Sequence, residues 1–187
     1  MLHKIVLDIE TKNFLSEIEN IDISLVAIYN SEIQEYSTYL EEELKFLWPI
    51  LERADMIIGF NSEHFDIPIL NKYYPGDLTK IRQLDILKEI KNTYGRRMKL
   101  EQLAEGTLGK QKSGHGTDAI KWWEAGEIEK LKKYCIDDVK ITKELYDYAL
   151  LNNKLVFKEG GNLNEIKLDT SGWETTNDHR LTFSLPF

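Results

Sequence analysis

A chain of 187 residues, 42% of them hydrophobic, suits one domain with one core and room for a small appendage. Its 32 acidic residues against 24 basic ones give a net charge of -8, which argues against a protein that coats nucleic acid through a broad positive surface. The single cysteine, Cys135, excludes an intramolecular disulfide and fits a reducing compartment. No run approaches the roughly 20 apolar residues that cross a bilayer, and M-L-H-K-I-V-L-D-I-E lacks a signal-peptide layout. A cytoplasmic protein with no membrane partner is the expectation.

In chain order, Lys4 to Ile9 is predicted as a strand, followed by strands over Asp22 to Tyr29 and Glu32 to Leu40, joined by a turn at Asn30-Ser31. Three consecutive antiparallel strands result. Glu41 to Ala54 reads as a helix, with Leu44, Leu47, Trp48 and Leu51 at three- and four-residue spacing and Pro49 bending or weakening its middle. The apolar run Asp55 to Phe60 suits a buried strand of a partly parallel sheet. Helical patterns fill much of the rest, the longest from Glu127 to Leu151. Strands first and helices later predict an α/β layer architecture with helices on a mixed sheet. Beyond residue 152, Lys154 to Lys158 and Ile166 to Asp169 are expected to pair as a hairpin across Gly160-Gly161. The tail, ending L-T-F-S-L-P-F, has little periodicity and suits a partner-docking peptide, disorder or packing on the same domain equally.

Three acidic signatures punctuate these elements. In L-D-I-E-T, Asp8 and Glu10 stand two apart on a strand and so share a face. Paired carboxylates invite a cation, though an exposed strand alternating apolar and acidic residues gives the same pattern. In G-F-N-S-E-H-F-D, Gly59 permits close backbone approach, and Asp66 precedes Pro68 as a helix N-cap would, a role compatible with facing a cation. In Y-C-I-D-D, Tyr134 and Asp138 are four apart on one helix face, with Asp137 rotated away. A plain hydrogen-bonded pair has the same spacing.

Taken together, the signatures resemble those of a DEDD, or DnaQ-like, 3′-5′ exonuclease of the ribonuclease-H-like superfamily. The chain is similar to proofreading domains of family B DNA polymerases and to stand-alone YprB-like predicted exonucleases. D-I-E-T matches the first motif, N-S-E-H-F-D the N-x-x-x-F-D second motif, and Y-C-I-D-D the Y-x-x-x-D third motif. A histidine subgroup would place its base five residues before the last aspartate, where Lys133 stands, so the tyrosine subgroup fits better. The resemblance implies a mixed sheet of three antiparallel strands with parallel additions, flanked by helices. It covers residues 1–152 as the exonuclease domain and leaves 153–187 as an extension.

The resemblance further implies that Asp8, Glu10, Asp66 and Asp138 hold two Mg²⁺ or Mn²⁺ ions and that Tyr134 orients the attacking water. Asn61 and Phe65 are expected to contact substrate, Phe65 by stacking on a terminal base or else as a core residue. The partner is then a 3′ end of DNA or RNA. Two other functions fit: a catalytically weak nucleic-acid-binding or partner-recruiting module, and a structure-selective endonuclease. The basic cluster Arg96, Arg97 and Lys99 and the polar loop from Lys110 to Asp118 suit solvated surface or phosphate contact. Neither His64 nor His115 has the partners of a zinc site. Asp85 is expected to cap a helix at Ile86, and of Trp122 and Trp123 one is expected in the core and one at a surface or groove.

Overall fold

The central strand, β1 (Lys4–Thr11), sends alternate side chains into two apolar layers. Ile5, Leu7 and Ile9 enter one layer and Val6 the other. Strand alternation therefore sends Asp8 and Glu10 out on the Val6 side. The computed structural model describes residues 2–13, 17–111 and 116–175; His115, part of the Lys110 to Asp118 loop and the tail from 176 onward lie outside them.

Around β1, the strands β2 (Ile23–Asn30), β3 (Glu35–Leu40), β4 (Met56–Gly59) and β5 (Gln83–Asp85) complete a sheet of order β3-β2-β1-β4-β5. The first three strands are antiparallel, and β4 and β5 add parallel on the other side of β1. This is the expected mixed sheet. Parallel pairing brings the carboxyl ends of β1, β4 and β5 to one edge, where open α/β sheets bind their ligands.

On the Ile5 side lie α1 (Leu44–Leu51) and α2 (Asp66–Asn71), which bury Leu44, Leu47, Leu51, Ile67, Ile69 and Leu70. On the Val6 side lie α3 (Ile86–Tyr94), α4 (Leu100–Leu103), α5 (Gly116–Glu124) and the 25-residue α6 (Ile128–Asn152). The buried stripe of α6, through Leu131, Cys135, Asp138, Thr142, Leu145 and Ala149, repeats every three or four residues, so one face packs on β1 and β2.

The helix expected over Glu41 to Ala54 is shorter. A 3₁₀ turn over Glu41–Glu43 precedes α1, and Pro49 lies inside α1, where it has no N–H to offer the carbonyl of Lys45 and so weakens the helix near its end. The third strand begins at Glu35 rather than Glu32, because residues 31–34 form the turn and Gln34 takes a φ of 58°.

After α6 the chain forms a hairpin of β6 (Lys154–Glu159) and β7 (Asn162–Lys167), turning at Gly160-Gly161. Its second strand starts earlier than expected, and Asn162 and Asn164 pair within it. Leu155, Phe157 and Ile166 join the apolar layer beneath α6. Further on, Trp173 stacks on Tyr146 with ring centroids 5.6 Å apart, and Arg82 donates to the carbonyls of Gly172, Trp173 and Thr175. A π-helical stretch, Ala104–Leu108, meets the free edge of β6. There the Thr107 hydroxyl accepts from the Val156 amide at 2.9 Å and donates to its carbonyl at 2.6 Å.

Gly106 makes that contact possible, since a β-carbon on it would lie 2.6 Å from the Val156 carbonyl oxygen and the Phe157 carbonyl carbon. Backbone cannot step aside as a side chain can. Gly106→Ala should therefore cost about 1–3 kcal/mol, the range of an overpacked core, read as a lower midpoint in urea denaturation. An unchanged midpoint would show that the hairpin is not packed this closely.

Candidate active site

At the carboxyl end of β1, Asp8 is half-buried and Glu10 buried, both facing α6. Asp8 stands opposite Ala27 on β2, whose methyl adds little bulk beside the carboxylate. Carboxylate oxygens of Asp8 and Glu10 and the Sγ of Cys135 all lie within 4.8 Å of one another. The Cys135 thiol sits 3.5 Å from both the Asp8 carbonyl oxygen and Asp8 Oδ2. Burial pushes this thiol well up, and the negative charges of Asp8, Glu10 and Asp138 push it further. A protonated thiol donates to Asp8.

Tyr134 and Asp138 occupy successive turns of the same face of α6, both buried, and the phenol is hydrogen bonded to the carboxylate. Burial first, then the charges of Asp138, Glu10 and Asp8, drive the phenol far above its ordinary value. It therefore keeps its proton at neutral pH. Asp137 points elsewhere and pairs with Lys140 at 3.3 Å, as its rotation about the helix predicts. Trp122 packs edge-on against the Tyr134 ring, with centroids 5.6 Å apart. Its neighbour Trp123 lies under the Lys12 ammonium at 5.2 Å, and both indoles are half-buried, so neither takes the fully buried position expected of one of them.

Asp66 is not the N-cap expected from its sequence neighbourhood. Phe65 holds the cap position without a side-chain bond, and Asp66 is the first residue of α2. Its Oδ1 instead accepts the Ile9 amide at 3.1 Å. The reason is topological: β1 runs past the end of its pairing with β4 at Val6, and Asp66 satisfies an amide in that overhang. The carboxylate is thereby fixed beside the backbone between Asp8 and Glu10. Burial, with the charge of Asp85 adding to it, raises Asp66 to about 7 despite the amides of Asp66 and Ile9 pulling the other way.

The loop from β4 to α2 owes its shape to Asp85. That carboxylate caps α3 as expected, accepting from Leu87 at 2.9 Å and Lys88 at 3.3 Å. It also accepts from the amides of Asn61 at 2.8 Å and Glu63 at 3.1 Å, a role without a local sequence signal. Asn61 can turn here because its φ of 66° lies in the left-handed region that asparagine tolerates. At Gly59 a β-carbon would fall 2.3 Å from Ser62 Oγ, so the close approach read from the sequence is present. Arg97, one of the expected basic cluster, donates to Asn61 Oδ1 at 2.6 Å, whereas Arg96 pairs with Glu159. Phe65 is half-buried against the apolar layer of α1 and α2.

The fold thus draws Asp8, Glu10, Tyr134 and Asp138 together and binds Asp66 to the same strand. Carboxylate oxygens are hard donors, and this set fits a hard divalent cation such as Mg²⁺ or Mn²⁺. The protonated thiol at its margin supplies a hydrogen bond rather than the thiolate that a softer metal selects.

A family model described as the RNase H superfamily matches residues 5–150. Among solved structures, the chain is similar to the family B DNA polymerase from the hyperthermophilic archaeon Pyrobaculum calidifontis, with a TM-score of 0.64 and 17% identity. The match covers 80% of this chain and 25% of the polymerase chain, so this chain spans about a quarter of the polymerase's length. At that identity the likeness establishes the fold. No curated protein matches in sequence.

The position of Asp66 sets a pH dependence for the metal-free protein. Its folded value of about 7 lies above the ordinary 3.8, so the folded state holds the proton more tightly than the unfolded chain. That contribution is complete below about pH 4 and is lost as pH rises through 7. Thermal melts in EDTA should show stability falling between about pH 4 and 7, and Asp66→Asn should flatten this fall. A melting temperature as pH-dependent in the variant as in the parent would sink the assignment.

Proposed function

The chain belongs to the RNase H superfamily, and from that premise we propose that it is a metal-dependent 3′-5′ exonuclease acting on DNA or RNA. The observation that carries the reading is the meeting of Asp8 and Glu10 from β1 with Tyr134 and Asp138 from α6, while Asp66 is bonded to β1 between the two acids. A scaffold that only bound nucleic acid would have no use for carboxylates converging in a poorly solvated pocket.

In this reading Asp8, Glu10, Asp66 and Asp138 hold two Mg²⁺ or Mn²⁺ ions, which when bound supply charge neutralisation at the phosphate and a more acidic water. Asp8, within 4.8 Å of Glu10 through their carboxylate oxygens, would be the ligand best placed to serve both ions. Tyr134 keeps its proton and is bonded to Asp138, so it positions the attacking water through its hydroxyl and does not serve as the base. The Cys135 thiol orients Asp8 by donating to Oδ2. Ile9 holds Asp66 by donating its amide to Oδ1. Asn61 meets substrate beside this centre from the loop that Asp85 anchors. Phe65, turned toward the apolar layer, presents only its exposed portion to a terminal base.

The deciding assay uses 5′-labelled single- and double-stranded DNA and RNA with Mg²⁺, Mn²⁺ or EDTA. Products shortened stepwise from the 3′ end, with metal only, are expected. Internal cuts would turn the assignment to an endonuclease, and no metal-dependent cleavage of any substrate would leave a binding module. Asp8→Asn should reduce cleavage to background while leaving the circular dichroism spectrum unchanged. Tyr134→Phe removes one hydrogen bond to a charged group, worth about 1.5–3 kcal/mol, and should slow turnover by roughly ten- to a hundredfold.

A further inference from the structure

Between the β4–α2 loop and α3 lies an open cavity of about 290 Å³, next to the carboxylates at the same edge of the sheet. Asn61, Glu63, His64, Lys88, Lys91 and Arg97 line it, over a floor that includes Asp85. Its acids are already engaged. The two oxygens of Asp85 take four backbone amides, and Glu63 is paired with Lys88. Its donors are not. Arg97 spends one N–H on Asn61 Oδ1. A guanidinium has no acceptor, so the amide oxygen of Asn61 must face Arg97 and its NH₂ group faces away. Among the described residues, neither that NH₂ group nor the Lys91 ammonium has a hydrogen-bond partner, and neither Lys91 nor Arg97 lies in an ion pair.

Two cations without an acidic partner, one of them with N–H groups to spare, and one free amide donor, in a chain of net charge -8, call for an anion that only accepts. A nucleobase displays donors as well as acceptors and would leave the donors of the cavity poorly matched. A phosphodiester, whose single negative charge is shared by two non-bridging oxygens that only accept, matches them. Location gives the register: Asn61 begins the loop that delivers Asp66, so the cavity flanks the carboxylate cluster on the β5 side.

The geometry points to this cavity, through Lys91, Arg97 and the Asn61 amide, as the docking site for a non-scissile backbone phosphate of the substrate strand. This inference rests on the nuclease reading: with the 3′ end at the carboxylates, the docked phosphate belongs to the strand on its 5′ side. The contact fixes the strand without reading its bases, so it serves any sequence.

The test compares the parent with the variant K91Q/R97Q and a control, K45Q/K167Q, which removes the same charge from exposed positions elsewhere. Binding is measured by anisotropy of a fluorescein-labelled ten-nucleotide oligothymidylate with Ca²⁺ in place of Mg²⁺, across a salt series. Cleavage is measured on the same oligonucleotide and on the p-nitrophenyl ester of thymidine 5′-monophosphate, too short to reach the cavity. For K91Q/R97Q, affinity should fall by about tenfold or more, and the slope of log affinity against log salt should become shallower by about 1.4, or 0.7 for each lost contact on a single strand. The rate loss on the oligonucleotide should exceed that on the ester by a similar factor. The control should match the parent in all three measurements.

An unchanged salt slope in K91Q/R97Q overturns the inference, as does an equal effect in the control or an equal rate loss on both substrates. If the parent hydrolyses neither substrate with any metal, the nuclease reading fails by itself. The salt slope then still decides whether the cavity binds phosphate.

Discussion

Several carboxylates are held at the carboxyl edge of one sheet, and the structure must overcome their mutual repulsion in a place where water screens it poorly. The sheet and its two apolar layers supply the compensation. Ile5, Leu7 and Ile9 lock β1 to the α1 and α2 side, so Asp8 and Glu10 cannot rotate away from α6. Opposite them, the stripe of α6 is buried over many turns, which fixes Tyr134 and Asp138 facing β1. Donors are then placed individually: the Cys135 thiol on Asp8, the Tyr134 phenol on Asp138, and the Ile9 amide on Asp66. Each softens the repulsion without neutralising it. The residual cost fits a site that becomes complete when a divalent cation binds.

Two buried aspartates near this edge show how position separates roles. Asp85 and Asp66 are about equally inaccessible, at 4% exposure each. Asp85 receives four amides from two segments, which exhausts its oxygens and makes it an anchor for the Asn61 loop and for α3. Asp66 receives the amides of Ile9 and of its own residue and remains raised by burial and by the charge of Asp85. The anchor thus shapes its neighbour twice, once by setting the loop that carries it and once by its charge. In the nuclease reading, it is the less saturated carboxylate that faces metal.

Much of this site was legible because two of its rules are periodic. Residues two apart on a strand share a face, which placed Asp8 with Glu10, and residues four apart on a helix share a face, which placed Tyr134 with Asp138 rather than Asp137. The order of strands and helices likewise gave the mixed sheet. The N-cap reading of Asp66 failed for the opposite reason. A local rule favours aspartate as an N-cap, but the Ile9 amide, 57 residues away in sequence, offered a partner that no local pattern records. The Asp85 contacts to Asn61 and Glu63 and the Arg97 contact to Asn61 are non-local in the same way. Adjacent Trp122 and Trp123 also defied a simple inside-outside division, because both pack half-buried against the apolar layer under α6.

Net charge is the weakest guide to what this surface binds. A sum of -8 describes the whole molecule, whereas a strand meets only the groups along its path. On this edge the acids are concentrated at the Asp8 cluster, where the cations of the proposed reading would reverse the sign of the local field. Beside it, Asp85 and Glu63 are consumed by amides and by Lys88, leaving Lys91 and Arg97 to set the potential of the adjoining cavity. In the proposed reading, the cations at the cluster and the Lys91 and Arg97 side chains at the cavity would place positive charge at both places. The acidic excess elsewhere discourages broad, sequence-blind coating of long nucleic acid. In the proposed exonuclease reading only one strand end needs to enter, so that excess is no obstacle.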